Sequence, residues 1–410
     1  FLLWIRNALH FNAGRGDDDL THANQVRLAE DYGYEETPGM LPAEHLMREY
    51  FLHTNEMSRL LSRFSETALS LRRRPRWVQM LVGHRLDGDF REGRGLITST
   101  RRGLSRVTSR LDSAIDLFNL ASLTNSRVDH DTCEAIRLAL PTMDNSLTPK
   151  AREKFLSLLG RRQRLGELLR SMHEIGLLEL VIPEFEHARS LMQFNEVHKY
   201  TVDEHSIRAV EGAIYFSTVD EMNHDLRAEV DVGEACRSIE RVWLLHLALL
   251  IHDLGKGFDE DHCIVGERLA RDIAGRLQLK ESDSETLQFL VRHHLRMSYI
   301  ALNLDIHDEK LLKDFVAEVG SGEVLTWLFV LTASDFTAVG PRSWNNWRAG
   351  MLSNLYNNAM PYFTGETAPA SGAQLQRKRE KAISLLPANE RQEVAWHTTQ
   401  INALSDSYVI

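Results

Sequence analysis

Apolar residues recur at helical spacing along most of the chain. Met47 and Phe51 are four positions apart, as are Leu60 and Phe64, so each pair falls on one face of a helix. The same periodicity predicts helices at residues 1–11, 21–32, 42–71, 111–123, 133–140, 151–159, 164–175, 204–218, 238–252, 262–277, 282–295, 310–319, 322–335, 344–358 and 373–386. After residue 190 the sequence has no strand-like alternation, and no internal repeat is evident. The pattern predicts an all-α fold.

Residues 86–106 interrupt this pattern. Several glycines separate short apolar pieces there, which favours a small irregular or β insertion. The basic tract Arg72–Arg76 precedes it; against a net charge of −10 we interpret the tract as solvated surface rather than a contact to phosphate or to an acidic partner. The three acids Asp17–Asp19 are interpreted as a solvated turn, because adjacent carboxylates repel one another.

One apolar run, residues 243–251, ends in a histidine and an aspartate, His252 and Asp253. Adjacent helical residues point about 100° apart, so this pair can reach one ion only at the rim of a cavity. A buried polar pair needs a partner, and a divalent cation is a natural one. The alternative is a polar helix end with a glycine cap, in which Lys256 faces the negative end of the helix dipole.

Further histidines and an aspartate lie at or near the ends of apolar helices in the second half. A single such residue is more often a hydrogen-bonded structural group, but the whole set favours a metal site. Imidazole with carboxylate suits Zn²⁺, Fe²⁺ or Mn²⁺, and carboxylate-rich sets suit Mg²⁺ or Mn²⁺. Two neighbouring ions can stabilise the attacking and leaving oxygens of a phosphodiester. The additional candidates are His205, His262, His293, His294 and Asp335.

Composition excludes several other classes. The chain is 43% hydrophobic and 26% charged, its three cysteines are scattered, and its net charge is −10. These values argue against a disulfide framework and a dedicated nucleic-acid binder, and we expect a cytoplasmic location and no membrane span. Zinc-finger, metalloprotease, P-loop and serine-hydrolase motifs are absent from the sequence. Because the chain starts within an apolar segment at Phe1, we expect it to be a piece of a longer protein.

The order of a histidine, a His-Asp pair, later histidines and an aspartate resembles the HD-domain metal-dependent phosphohydrolases. The resemblance implies a compact helical bundle that binds one or two divalent ions, Mn²⁺ or Mg²⁺ with Fe²⁺ or Zn²⁺ as alternatives. It implies that the first ion is held by His205, His252, Asp253 and Asp335. It implies that the second ion is held by His262, His293 and His294, with Asp253 as a bridge.

Three further residues are given roles on the same basis. The resemblance implies that Lys256 is catalytic together with Asp253, because its charge can neutralise a phosphate oxygen. His198 and Asp203 are expected to lie behind His205 and to orient it. No binding residues for an organic cofactor are predicted.

The chain is most similar to the bacterial PII uridylyltransferase/uridylyl-removing family. The stretches that carry this resemblance are residues 1–10, 198–205, 249–257, 291–298 and 344–348. It implies a helical linker domain at 1–189 following a nucleotidyltransferase domain, an HD domain at 190–365, and a C-terminal helix and tail at 366–410 leading to ACT domains. A transferase domain needs Gly-Ser followed by Asp-x-Asp, and neither Asp17–Asp19 nor Asp87–Asp89 has Gly-Ser before it.

The function implied is metal-dependent removal of UMP from a uridylylated tyrosine of the PII signal protein, without transferase activity. Two alternatives stay open. The chain could be an HD hydrolase of a nucleotide or a cyclic dinucleotide, or a non-catalytic regulatory helical module whose metal only stabilises the fold.

Overall fold

The computed structural model describes residues 1–72, 84–194, 199–219, 227–340 and 343–365. The described part is predominantly helical with one small sheet, so the expected fold class is confirmed. Two predictions lie outside the described residues, namely the helix at 373–386 and most of the basic tract at 73–76. The same is true of His198.

Three helices form the N-terminal region: α1 (Leu2–Ala13), α2 (His22–Asp31) and α3 (Pro42–Arg72). They share a small core of their own that includes the fully buried Leu28 and Leu46. The predicted solvated turn at Asp17–Asp19 is largely exposed, and Asp18 pairs there with Arg6 and His10.

The insertion predicted at 86–106 contributes to a four-stranded sheet as far as Ser99, and the prediction is wrong beyond it, because Arg101–Ser109 is helical. The strands of the sheet are β1 (His84–Leu86), β2 (Phe90–Gly93), β3 (Leu96–Ser99) and β4 (Arg127–Val128). The first three pair antiparallel and β4 adds parallel to β3. Asp87–Asp89 forms the first hairpin turn, where Asp89 accepts a 2.8 Å hydrogen bond from Arg106. The sequence did not predict β4, because two residues carry no alternation and the strand exists only through its pairing with β3.

Seven further α-helices lie in the described residues of the first half. They are α4 (Arg101–Ser109), α5 (Leu111–Leu123), α6 (His130–Ala139), α7 (Pro149–Leu159), α8 (Leu165–Glu174), α9 (Leu177–Val181) and α10 (Phe185–Ala188). Their buried side chains, such as Phe118, Phe155 and Phe185, belong to one core that continues into the second half. The two halves are therefore packed against each other rather than joined by a free linker.

The second half is a helical bundle, and its described residues contain no strand. The helices are α11 (Val202–Thr218), α12 (Arg227–Ser238), α13 (Val242–Ile251), α14 (His262–Leu277), α15 (Glu281–Arg292), α16 (Arg296–Asn303), α17 (Glu309–Val319), α18 (Gly322–Val339), α19 (Asn346–Ala359) and α20 (Pro361–Thr364). The most extensive pairing is between α11 and α18, followed by that between α14 and α15. Helix α13 packs against α11 and α18 of the first pair and against α15 of the second.

Several predicted helices begin or end at other residues in the structure; the one predicted at 282–295, for example, ends at Arg292. The helix predicted at 238–252 is wrong at its start: α12 ends at Ser238 and α13 begins at Val242. Arg241 interrupts the helix with a non-helical backbone (φ −89°, ψ 57°) and pairs with Asp283 and Glu323. The helix predicted to end at Asp335 continues to Val339, so Asp335 projects from within α18.

Helix α18 alone among the described helices is long and apolar enough to cross a membrane by length and composition. However, 67% of its apolar window is buried inside the protein. Such burial is typical of the central helix of a globular core.

The N-terminal region contacts the loop that follows α13. Arg48 donates a 3.1 Å hydrogen bond to the carbonyl of His187, and His187 Nε2 lies 2.9 Å from the carbonyl oxygen of Lys256. The His187 ring stacks on Phe258 with centroids 4.1 Å apart. A Cβ added to Gly39 would lie 2.5 Å from the backbone carbon of Phe258, so only glycine permits this approach. Because Lys256 lies on this loop, the contact holds a candidate site residue in place.

We expect Gly39→Ala to destabilise the protein by roughly 2 kcal/mol more than Gly33→Ala. Both glycines have positive φ (+83° and +73°), so both substitutions strain the backbone, but a Cβ at Gly33 meets nothing within 4 Å. The difference in free energy of unfolding between the two variants, measured by urea denaturation, therefore reports the steric overlap of the new Cβ at position 39 with the loop. Equal destabilisation by the two substitutions would show that the Gly39 contact contributes nothing.

Candidate metal centre

The rings of His252 and His294 are oriented by the same kind of hydrogen bond. The Nδ1 of His252 lies 2.7 Å from the carbonyl oxygen of Leu249, and the Nδ1 of His294 lies 2.8 Å from that of Val291. A carbonyl only accepts, so Nδ1 donates in both rings and the Nε2 of each neutral ring is left with a free lone pair. Metal-binding histidines usually donate their other ring N–H in this way.

Four side chains converge beside His252. The Nε2 atoms of His205 and His252 are 3.2 Å apart, and Asp335 Oδ1 lies 3.0 Å from the first and 3.6 Å from the second. Asp253 Oδ2 lies 3.4 Å from both nitrogens. Three helices contribute, because His205 lies on α11, Asp335 on α18, and His252 and Asp253 follow α13. The sequence-predicted first set is therefore assembled at one point.

The nitrogen–nitrogen and nitrogen–oxygen spacings suit a divalent cation, and His205, His252 and Asp253 each offer a ligand atom within 4.8 Å of the others. Donors bound at about 2.1 Å to one octahedral or tetrahedral ion lie roughly 3.0–3.4 Å from each other. The observed separations, 3.0–3.6 Å, bracket that range. Two imidazole nitrogens and two carboxylate oxygens are also the donor types that Mn²⁺, Fe²⁺ and Zn²⁺ accept.

Both carboxylates are ionised although Asp253 is buried and only 16% of the Asp335 side chain is exposed. Burial raises the pKa of Asp253, but the charge of Lys256 outweighs burial and holds the pKa well below its usual range. Burial likewise raises the pKa of Asp335, but its close contacts with His205 and His252 outweigh burial and hold that pKa well below its usual range. The site therefore presents two negative charges in the interior, and only positive charge can compensate them.

A second group of donors adjoins the first. His294 is buried, and its Nε2 lies 3.5 Å from Asp253 Oδ1. The His262 ring, at the start of α14, lies 5.4 Å from the His294 ring, centroid to centroid. Asp253 thus faces the first group with one oxygen and His294 with the other, which is the geometry of a bridging carboxylate.

The structure does not bring His293 to either group. Its Nδ1 lies 3.1 Å from Glu318 Oε1, and its ring stacks on Phe289 with centroids 4.4 Å apart. Its neighbour His294 points inward instead, because α15 ends at Arg292 and the following turn separates the two side chains. Adjacent histidines cannot be told apart by sequence pattern alone.

Lys256 is buried against the first group. Its Nζ lies 2.7 Å from Asp253 Oδ2, and 8% of its side chain is exposed. A small recess opens beside it, lined by Gln193, Tyr200, Val202, His205, Asp253 and Lys256. The recess therefore borders the ammonium group and candidate metal ligands together.

Asp203 links the first turn of α11 to the first half of the protein. Its Oδ2 accepts a 2.9 Å hydrogen bond from His173 Nε2 and a 2.7 Å bond from the backbone N–H of Ser190. His173 Nδ1 in turn lies 2.6 Å from Glu179, which also pairs with Arg189. Sequence reasoning missed His173 and Glu179, because their partners are distant in the chain.

Two family models match the chain. The model described as GlnD PII-uridylyltransferase matches residues 1–65, and the HD domain model matches residues 202–320. The HD match includes the histidines of both groups and Asp253, whereas Asp335 lies beyond its end. Residues 202–320 are therefore an HD domain, the class of metal-dependent phosphohydrolase domain expected from the sequence.

Over most of its length the chain is similar to proteins named bifunctional uridylyltransferase/uridylyl-removing enzyme. The relative from Ruegeria pomeroyi is 32% identical over 97% of this chain and 44% of the relative. Those from Cereibacter sphaeroides and Azospirillum brasilense are 34% and 33% identical over 88% and 89% of this chain, and 39% of each relative. The resemblance is confirmed, and the chain spans less than half the length of these relatives.

We expect His294→Gln to weaken binding of the second of two Mn²⁺ ions more than about tenfold, because it removes the inward Nε2 donor. His293→Gln should leave binding within about twofold, because His293 pairs with Glu318 instead. Mn²⁺ affinity can be measured by electron paramagnetic resonance of the free ion. Equal losses in the two variants would contradict the orientation described for this pair.

His173 is expected to make stability depend on pH. Burial would lower the pKa of His173, but hydrogen bonds with Asp203 and Glu179 outweigh burial and raise it to about 9, above the ordinary 6.5. A raised pKa contributes stability that is complete below pH 6.5 and is lost as pH rises through about 9.

The variant His173→Gln should therefore be less stable than wild type by roughly 3 kcal/mol at pH 6. The difference should shrink as pH rises toward 9, because the wild-type imidazolium loses its proton there. Urea unfolding of both proteins between these pH values measures it. A difference that stays constant across the range would show that His173 is not charged in the fold.

Proposed function

We propose that this chain hydrolyses a phosphodiester with a divalent metal ion held by His205, His252, Asp253 and Asp335. The observation that carries the proposal is the convergence of these donors at separations of 3.0–3.6 Å. Mn²⁺ or Mg²⁺ is the proposed ion, with Fe²⁺ or Zn²⁺ as alternatives. The proposed bond is the one that joins UMP to a tyrosine of the PII signal protein, because the relatives are named for uridylyl removal.

A bound divalent ion supplies a water of lowered pKa and stabilises charge on phosphoryl oxygens. The protein's own contribution is to hold the donors rigidly. The His252 ring is fixed through Leu249, and Asp335 is fixed within α18. Preformed donors reorganise little during the reaction, so their full electrostatic effect is available to the transition state.

Lys256 has two proposed roles. Its contact with Asp253 Oδ2 keeps that carboxylate ionised and turned toward the histidines. As a substrate phosphate enters the recess, the same ammonium group stabilises the negative charge that develops on its oxygens. The low exposure of Lys256 strengthens this interaction, because little water screens it.

His262 and His294 are proposed ligands of a second ion, with Asp253 as the bridge. His293 is left out of the proposed set because it pairs with Glu318. Asp203 is proposed to position His205 through the first turn of α11, where the His173 hydrogen bond holds it.

The domain division at 1–189, 190–365 and 366–410 is also a proposal. The shared core and the His173–Asp203 hydrogen bond cross its first boundary, so the two parts are expected to act as one body. We further propose that the protein is cytoplasmic and that this chain carries the uridylyl-removing activity without transferase activity.

The test is release of UMP from uridylylated PII in the presence of Mn²⁺. The variant His252→Ala/Asp253→Ala should lose more than about 100-fold in rate, beyond the loss caused by removing a residue that only orients a ligand. His293→Ala is the matched control and should retain activity, because it replaces a histidine outside both groups.

Failure of the wild type to release UMP would refute the substrate assignment. In that case hydrolysis of bis-p-nitrophenyl phosphate tests the phosphodiesterase chemistry alone. Turnover that depends on His252 and Asp253 would support a metal-dependent hydrolase whose substrate is a nucleotide or a cyclic dinucleotide. If the chain binds metal but hydrolyses neither substrate, the result would favour the non-catalytic regulatory module.

A further inference from the structure

Cys263 lies in the second group of donors, where the sequence did not place it. Its Sγ is 3.6 Å from His262 Nε2 and 3.9 Å from His294 Nδ1. One donor atom from each of these three residues can be chosen so that all lie within 4.8 Å of one another. Cys263 is partly exposed, whereas Cys133 and Cys236 are buried elsewhere.

We propose that the Cys263 thiolate is a ligand of the second metal ion, together with His262 and His294. The inference rests on the proposed metal centre and adds a donor of a different chemical type. It gives the two ions of the centre different ligand environments.

The sulfur–nitrogen spacing suits a shared ion. A zinc-like ion binds sulfur at about 2.3 Å and imidazole nitrogen at about 2.0–2.1 Å, which in a tetrahedron places the two donors roughly 3.6 Å apart. The observed Cys263–His262 separation is 3.6 Å. A hydrogen bond between Cys263 and His262 also has this length, and the cobalt experiment below distinguishes it from coordination.

The surroundings of His294 point to a ligand. Its ring is 1% exposed, and the hydrogen bond of Nδ1 to Val291 leaves Nε2 as the nitrogen that an ion would use. Among the described residues Nε2 makes no hydrogen bond within bonding geometry, and it lies 3.5 Å from Asp253 Oδ1. A buried ring nitrogen without a hydrogen bond costs free energy, and a metal ion would satisfy it.

The start of α14 holds Cys263 in position. Asp261 caps this helix by accepting hydrogen bonds from the backbone N–H of Cys263 at 3.0 Å and of Ile264 at 3.2 Å. The cap fixes the first turn, which carries both His262 and Cys263. The positive end of the helix dipole also favours a negative thiolate at this position.

A thiolate changes which ion this group selects. Soft sulfur donors favour Zn²⁺ or Co²⁺ over Mg²⁺, whereas the carboxylates of the first group suit Mn²⁺ and Mg²⁺. We therefore expect Cys263→Ser to weaken Zn²⁺ binding at the second group more than about tenfold and to leave Mn²⁺ binding at the first group within about twofold.

Cobalt substitution tests the ligand directly. Co²⁺ added to the metal-free chain should give visible d–d bands and a near-ultraviolet sulfur-to-cobalt charge-transfer band. The matched control, Cys133→Ser/Cys236→Ser, keeps only Cys263 and should keep both features. Cys263→Ser should lose the charge-transfer band and keep the first group's cobalt.

The outcomes separate this inference from the proposed function. Bound cobalt without a charge-transfer band in the wild type, or with a band that survives in Cys263→Ser, overturns the thiolate ligand and leaves the metal centre intact. Absence of cobalt binding overturns the thiolate ligand and the proposed centre together. Loss of the band in Cys263→Ser alone supports it, whichever substrate the chain hydrolyses.

Discussion

Two ionised carboxylates in the interior are the constraint on which the site depends. Asp253 and Asp335 are held in the charged form against the cost of burial by Lys256, His205 and His252. Removing one member would leave a charge buried without its partner, which costs far more than an exposed ion pair contributes. The helices that carry these residues must therefore be positioned accurately. Their nearly continuous apolar surfaces position them, because each helix packs against neighbours on several sides.

The first half of the chain supports the same site from behind. His173 and Glu179 reach Asp203 at the start of α11, and the N-terminal region reaches the loop of Lys256 through Gly39 and His187. Both contacts act on backbone segments that carry donors rather than on the donors themselves. A shift of the first half would therefore displace the residues of the metal centre.

The spacing of apolar residues predicted most helices, because a helix that buries one face needs apolar residues at every third or fourth position. The helices α5 and α14 begin and end at the predicted residues, each with a regular apolar face. Helix α12 was missed, because its composition is polar and it is stabilised by packing on α11 and α18. The break at Arg241 was missed for a related reason: its ion-pair partners Asp283 and Glu323 are distant in the chain.

The sequence by itself determined the types of donor and the helices that carry them, since polar residues at the ends of apolar runs are visible without coordinates. Only the tertiary structure decided which donors meet. It turned His294 inward and His293 toward Glu318, brought Cys263 beside His262, and joined His173 to Asp203. The reason is geometric. Successive side chains on a helix point about 100° apart, so neighbouring residues at a helix end face different directions. Which of these directions faces the protein core depends on helices that are distant in the chain.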